Sequence, residues 1–349
     1  MYVRKNFSLR GILAFSGFHI IYLILWASIV SAVYYFIPKE YQHWLQIPWL
    51  PVSIIGTAVA FYVGFKNNSS YDRMWEARKI WGAIVNSSRM WATTAKNFVT
   101  PQFTTHNYSV QEIQKIHQRL FYRHIAWLYA LRSQLLLSTS WEHLGTRMQW
   151  ARQFYERRQK RFGVGLFGDD VTEGQLKKLL SEAEFTKVID FQNTATQLID
   201  NQSQELQKLR EQGLIDDFRH MELQKILNDF YTHQGMAERI KKFPLPRQYA
   251  SFSYVFVIVF IFLLPFGMIP AFQEFGDAGI LLSIPFIVLV GWVYVMMELI
   301  GDYSENPFEG LGNDIPMLAL CRTIEIDLRE MLGETDLPPA IKPVNDVLM

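Results

Sequence analysis

The chain has 349 residues, and its 34 Lys and Arg nearly balance 33 Asp and Glu, so a net charge of +1 makes no case for nucleic acid. The single cysteine, Cys321, cannot close an intramolecular disulfide, so no oxidising compartment is implied. A mean hydropathy of +0.03 would suit a soluble protein, but that average hides four long stretches free of Asp, Glu, Lys and Arg. They are bounded by Arg10 and Lys39, Glu40 and Lys66, Arg247 and Glu274, and Asp277 and Glu298. A helix needs roughly 20 apolar residues to cross a bilayer, so each stretch is long enough, the last only just.

The first stretch, GILAFSGFHIIYLILWASIVSAVYYFIP, is apolar all round and ends in an aromatic belt at Tyr34, Tyr35 and Phe36. It is too long for a cleavable signal and no small-residue cleavage site follows, so it is expected to stay as an anchor. His19 within it reads as a helix–helix hydrogen bonder rather than a ligand. The second stretch opens with IPWLPV, where Pro48 and Pro51 suit a helix start. It continues SIIGTAVAFYVGF, rich in small residues that let helices approach closely in lipid and that also suit a pore lining.

Beyond Lys66 the helical period persists to about residue 100, with Met74, Ile80, Ile84 and Trp91 at helical spacings, so this helix is expected to continue out of the membrane. Pro101 to Asn107 break it. Residues 110–137 predict an amphipathic helix carrying Ile113, Ile116, Leu120, Trp127 and Leu131 on one face. A basic cluster follows at Arg152, Arg157, Arg158, Lys160 and Arg161, read as a solvated helix end or as a contact for anionic lipid. After a loop at Gly163–Asp170 the helical pattern runs from Thr172 to Lys242, interrupted near Gly213 and stopped by Pro244. The third stretch contains Pro265 and ends at Pro270, the fourth contains Pro285, and a last amphipathic helix is expected from Leu318 to Leu332.

Orientation follows from the excess of Lys and Arg beside the outer ends of the two hairpins, at Arg4, Lys5, Arg10, Lys66, Arg73, Arg78, Lys79, Lys241, Lys242 and Arg247. Both termini and the whole middle are therefore expected on the cytoplasmic side of a bacterial inner membrane. The expected organisation is a first transmembrane hairpin at 1–66, a cytoplasmic helical region at 67–247, a second hairpin at 248–300 and a cytoplasmic C-terminal segment at 301–349. The fold class is an all-α membrane protein with four transmembrane helices and a large cytoplasmic helical bundle.

No phosphate-binding loop, nucleophile elbow or zinc-protease motif is present, so the chain does not read as an enzyme and no cofactor is expected. His117 and His124 stand two helical turns apart, a weak metal signal set against a surface or packing role. Asp302, Glu305, Glu309 and Asp314 could hold a cation, but their irregular spacing suits solvated acidic residues better. No metal site is assigned. No stretch carries a carboxylate or base near its centre, which argues against an ion-coupled transporter and for a passive pore or a structural role.

GFKNNSSYDRMWEARKIWG at 64–82 resembles the text that follows the second span in the prokaryotic branch of the bestrophin family. AERIKKFPLPRQY before the third stretch, LLPFGMIP within it and ENPFEGLGNDIP after the fourth are similar to further landmarks of that family, in the same order. The resemblance covers nearly the whole chain and is weakest over 130–200. It implies a homopentameric ion channel whose second helix lines a hydrophobic neck. Carried onto this chain, the neck positions are Thr57, Phe61 and Phe65. Thr57 departs from the bulky apolar residue usual there, which implies a wetter and wider outer end. The resemblance also implies a cytoplasmic constriction, expected by spacing at Ile215. In animal members an acidic run after NPF holds calcium; here glycines replace most of it and only Glu309 and Asp314 remain, so calcium gating is expected to be absent or weak. Anion conduction, chloride above all, is the family default. A monovalent-cation channel and a non-conducting membrane scaffold or sensor are the alternatives. Expected partners are further copies of the chain, membrane lipid and small monovalent ions.

Overall fold

A computed structural model describes residues 1–7, 9–145, 148–161, 163–164 and 172–349. The loop expected at Gly163–Asp170 therefore falls, from residue 165, outside the described residues. The helices longer than one turn, in chain order, are α1 (Leu9–Phe36), α2 (Trp49–Phe98), α3 (Val110–Leu136), α4 (Gln149–Arg161), α5 (Thr172–Leu179), α6 (Glu182–Ile189) and α7 (Thr194–Glu211). They continue with α8 (Asp217–Lys242), α9 (Arg247–Phe272), α10 (Asp277–Asp302) and α11 (Met317–Met331). Among the described residues there is no strand, only isolated bridges of Val347 with Tyr2 and Val344. Among the described residues, four helical segments are long and apolar enough to cross a membrane, at Phe15–Phe36, Lys39–Phe103, Arg247–Phe275 and Asp277–Asp302. The protein is an all-α membrane protein with four such helices and a large helical bundle.

The chain divides into two compact units: residues 4–73 with 244–305, and residues 1–3, 74–243 and 306–349. Helix α2 is one uninterrupted 50-residue helix that contributes to both, as its unbroken helical period predicts.

In the apolar unit, α1 and α9 both pack on α10. Small residues set the close contacts, as expected where lipid supplies no hydrophobic drive for helix association. A Cβ on Gly56 of α2 would sit 2.7 Å from the Phe260 ring of α9, and one on Gly291 of α10 would sit 2.9 Å from Leu23 of α1. Tyr294 of α10 donates its hydroxyl to the Gly56 carbonyl at 2.9 Å, so an aromatic body packs in the core while its polar end finds a backbone acceptor. Lys66, Glu298 and Ser253 are all buried, with the Lys66 ammonium and the Ser253 hydroxyl both donating to the Glu298 carboxylate. A charge taken out of water persists only with such a partner.

The second unit is a bundle around α3. A capping box starts this helix: the Ser109 hydroxyl accepts from the Glu112 amide while the Glu112 carboxylate accepts from the Ser109 amide. Helices α5, α7, α8 and α11 pack around it, and from Leu120 to Leu131 all but one of its residues are buried. The helical pattern expected from Thr172 to Lys242, with one break near Gly213, is four helices: that break is present and two more precede it. Ser181, Asn193 and Asp216 each accept a backbone amide three residues on and so start a new helix. Gly213, at φ +71°, closes α7 in the left-handed conformation. The Leu214 amide returns to the Leu209 carbonyl and the Gly213 amide to that of Arg210, a Schellman turn that folds the next apolar residues inward.

Candidate functional site

Helix α2 carries the site. With 3.6 residues per turn, residues three, four and seven apart share a face. One face of its membrane half, at Val52, Val59, Val63, Lys66 and Ser70, is buried in the apolar unit. The opposite face, at Ile54, Thr57, Phe61, Phe65 and Asn68, is exposed throughout. Phe61 is 67% exposed and Phe65 61%, although both are large apolar side chains. They border an open groove of about 800 Å³ that runs from Thr57 past Gly64 to Tyr71, with Tyr294 on its flank. The small residues Ala60 and Gly64 line the same groove beside the rings.

Thr57 lies on this line, one turn before Phe61. Its hydroxyl donates to the Ser53 carbonyl of its own helix at 2.9 Å. This back-bond uses the donor and leaves only acceptor lone pairs facing outward.

Ile215 is placed differently. It lies in the turn between α7 and α8, 1% exposed, inside the core of the bundle. The Schellman turn at Gly213 folds Leu214 back and Ile215 follows it inward, so this side chain offers no surface to a bore. The exposed apolar residues nearest to it in sequence are Phe218, 82% exposed, and Met221, both on α8.

The histidine pair has structural partners: His117 meets the Val99 carbonyl at 3.0 Å and His124 the Ser88 hydroxyl at 2.9 Å. Burial lowers the pKa of both, to about 3 for His124, so its ring is neutral at physiological pH. The acidic residues after α10 are not a solvated set. Glu305 accepts from Arg247 at 3.0 Å, and Glu309 accepts from Asn306 at 2.9 Å and sits 2.7 Å from His143 Nδ1. Asp314 accepts from the Leu311 amide at 3.0 Å and is buried. Burial, and then the nearby Glu309, push its carboxyl up to about 7. Among the described residues no three His, Cys, Asp or Glu converge as a metal-ligand set.

The Lys66–Glu298–Ser253 cluster is not evident from the sequence, where Lys66 and Glu298 stand 232 positions apart. A signal for it exists: opposite charges close the C-terminal ends of the second and fourth apolar stretches.

The sequence model of the family described as bacterial/fungal bestrophin protein matches residues 6–330. The chain belongs to the bestrophin family. Among its relatives, the voltage-dependent anion channel-forming protein YneE of Escherichia coli (strain K12) is 26% identical over 313 residues, covering 89% of this chain and 86% of that one. The voltage-dependent anion channel-forming protein RSc3414 of Ralstonia nicotianae is 27% identical over 299 residues, covering 84% and 82%. A bacterial bestrophin homolog from Klebsiella pneumoniae shares the fold with a TM-score of 0.71 at 22% identity, covering 91% of this bestrophin and 98% of that chain.

Proposed function

We propose that this bestrophin is a passive channel for small monovalent ions, assembled as a homopentamer around five copies of α2, with Thr57, Phe61 and Phe65 forming its neck. The observation that carries the reading is the exposed aromatic line on α2. Two phenylalanines one turn apart stand out of a helix whose opposite face is packed, and a single chain gives them nothing to pack against. Rings of phenyl groups leave a narrow apolar bore that empties of water when closed and refills on slight widening. The positive edge of each phenyl tolerates a passing anion without a fixed charge. The printed names of the relatives in Escherichia coli and Ralstonia nicotianae support anion conduction, chloride first.

In this reading the hairpins 1–66 and 248–300 cross the inner membrane, and 67–247 and 301–349 lie in the cytoplasm with both termini. The second constriction is assigned to Phe218 in place of Ile215, because only an exposed side chain can narrow a shared axis. Conduction needs no cofactor. Purified protein, sized to establish its copy number, is to be recorded in planar bilayers under a potassium chloride gradient. A current from a pentamer with a reversal potential on the chloride side is the expected result. Silence from a verified pentamer would move the reading to a non-conducting scaffold.

A further inference from the structure

We infer that Asp72 weakens the anion preference of the pathway, as a ring of carboxylates below the aromatic neck, one from each copy of the chain. This rests on the pore reading above and goes beyond it, since the neck itself carries no charge.

Between Trp49 and Arg73 the helix holds three residues charged at neutral pH, Lys66, Asp72 and Arg73. Lys66 is enclosed and paired with Glu298. Arg73 is half-buried and gives its Nε–H to the Glu305 carbonyl at 2.9 Å. Asp72 alone of the three is exposed. Eleven residues are close to three turns, so Asp72 lies only about 20° around the helix axis from Phe61, and it lies a similar angle from Phe65 on the other side. It follows Phe65 by seven residues, about 10 Å along the axis. The groove beside Phe61 and Phe65 runs on past Asn68 to Tyr71, the residue before it.

No structural duty accounts for the carboxylate. It stands in mid-helix, so it neither caps an end nor meets the positive pole of the helix dipole. Its neighbours three and four residues away are Asn68, Ser69, Trp75 and Glu76, none of them a cation. A ring of like charges at the mouth of a narrow bore concentrates counter-ions and repels co-ions. The Asp72 ring therefore raises potassium and lowers chloride at the inner mouth, and so reduces the chloride preference that the neck would otherwise have.

The test is the potassium-to-chloride permeability ratio of the reconstituted full chain, for wild type, Asp72→Asn and Asp72→Glu. Asp72→Asn is expected to lower the ratio about threefold or more, and Asp72→Glu to keep it near wild type. The wild-type ratio is also expected to fall between 0.1 M and 1 M salt, as screening shortens from about 10 Å to about 3 Å. A conducting Asp72→Asn variant with the wild-type ratio would overturn the inference and leave the pore intact. Should that variant not assemble, a wild-type ratio independent of salt would overturn it equally. No current from any variant would instead overturn the pore reading.

Discussion

Helices α2 and α3 make opposite use of their apolar residues. On α3 the long run from Leu120 to Leu131 is enclosed by its own chain: Trp127 stacks near His124 and Phe230 and donates its indole N–H to Gln234 at 3.0 Å. On the membrane half of α2, one face is equally well packed while Phe61 and Phe65 stand clear on the other. The contrast separates side chains that hold the protomer together from side chains that the protomer does not need. It also makes α2 the place to look for function, because burial already explains α3.

The largest expected effect falls on the packed side. Trp127→Ala would empty a fully enclosed site and strand the Gln234 amide oxygen, costing about 3–5 kcal/mol of stability. Thermal unfolding of the detergent-solubilised protein measures it, and an unchanged Tm would show that α3 is not the centre of the bundle.

Next comes the buried charge on the packed face of α2. Lys66→Ala leaves Glu298 enclosed without its cation, with an expected loss of about 3–5 kcal/mol, whereas replacing both partners with apolar residues of similar size recovers most of it. If the double replacement were as damaging as the single one, the pair would be doing more than satisfying itself.

Asp314 gives a smaller, pH-dependent effect. Its folded pKa, about 7, lies above the usual carboxylate value near 3.8. The native state therefore binds the proton more tightly than the unfolded state, and stability falls as pH rises from about 4 to 7. Asp314→Asn removes that loss, so the variant is expected to gain up to a few kcal/mol over wild type at pH 8 and nothing at pH 4. A gain of equal size at both values would point to packing and not to the proton.

The smallest effect on folding belongs to the exposed side. Phe61→Ala and Phe65→Ala are each expected to change protomer stability by less than about 0.5 kcal/mol, as surface substitutions do. A loss as large as that of Trp127→Ala would place these rings in the core of an assembly and weaken their role as a neck.

Much of this was legible in the sequence because it depends on local rules. Four charge-free stretches give four membrane helices by length alone, and the unbroken period through Lys66 gives the continuous α2. The spacing of Phe61 and Phe65 puts them on one face without any knowledge of what that face meets. Ile215 could not be read this way. Whether an apolar residue after a glycine turns inward or outward depends on the Schellman geometry at Gly213 and on a core built by residues far along the chain. The partners of Lys66 and Glu309 are hidden for the same reason: Glu298 lies 232 positions from Lys66 and His143 lies 166 positions from Glu309. The breaks at Ser181 and Asn193 were available as capping residues but were masked by the polar period around them.

The measurement that tests the central claim most directly is the single-channel conductance of Phe61→Ala/Phe65→Ala beside wild type, in protein verified to assemble alike. If the exposed face of α2 forms the neck, widening it should raise conductance or hold the pore open, with the protomer as stable as before. Currents identical to wild type from the intact assembly would contradict the account.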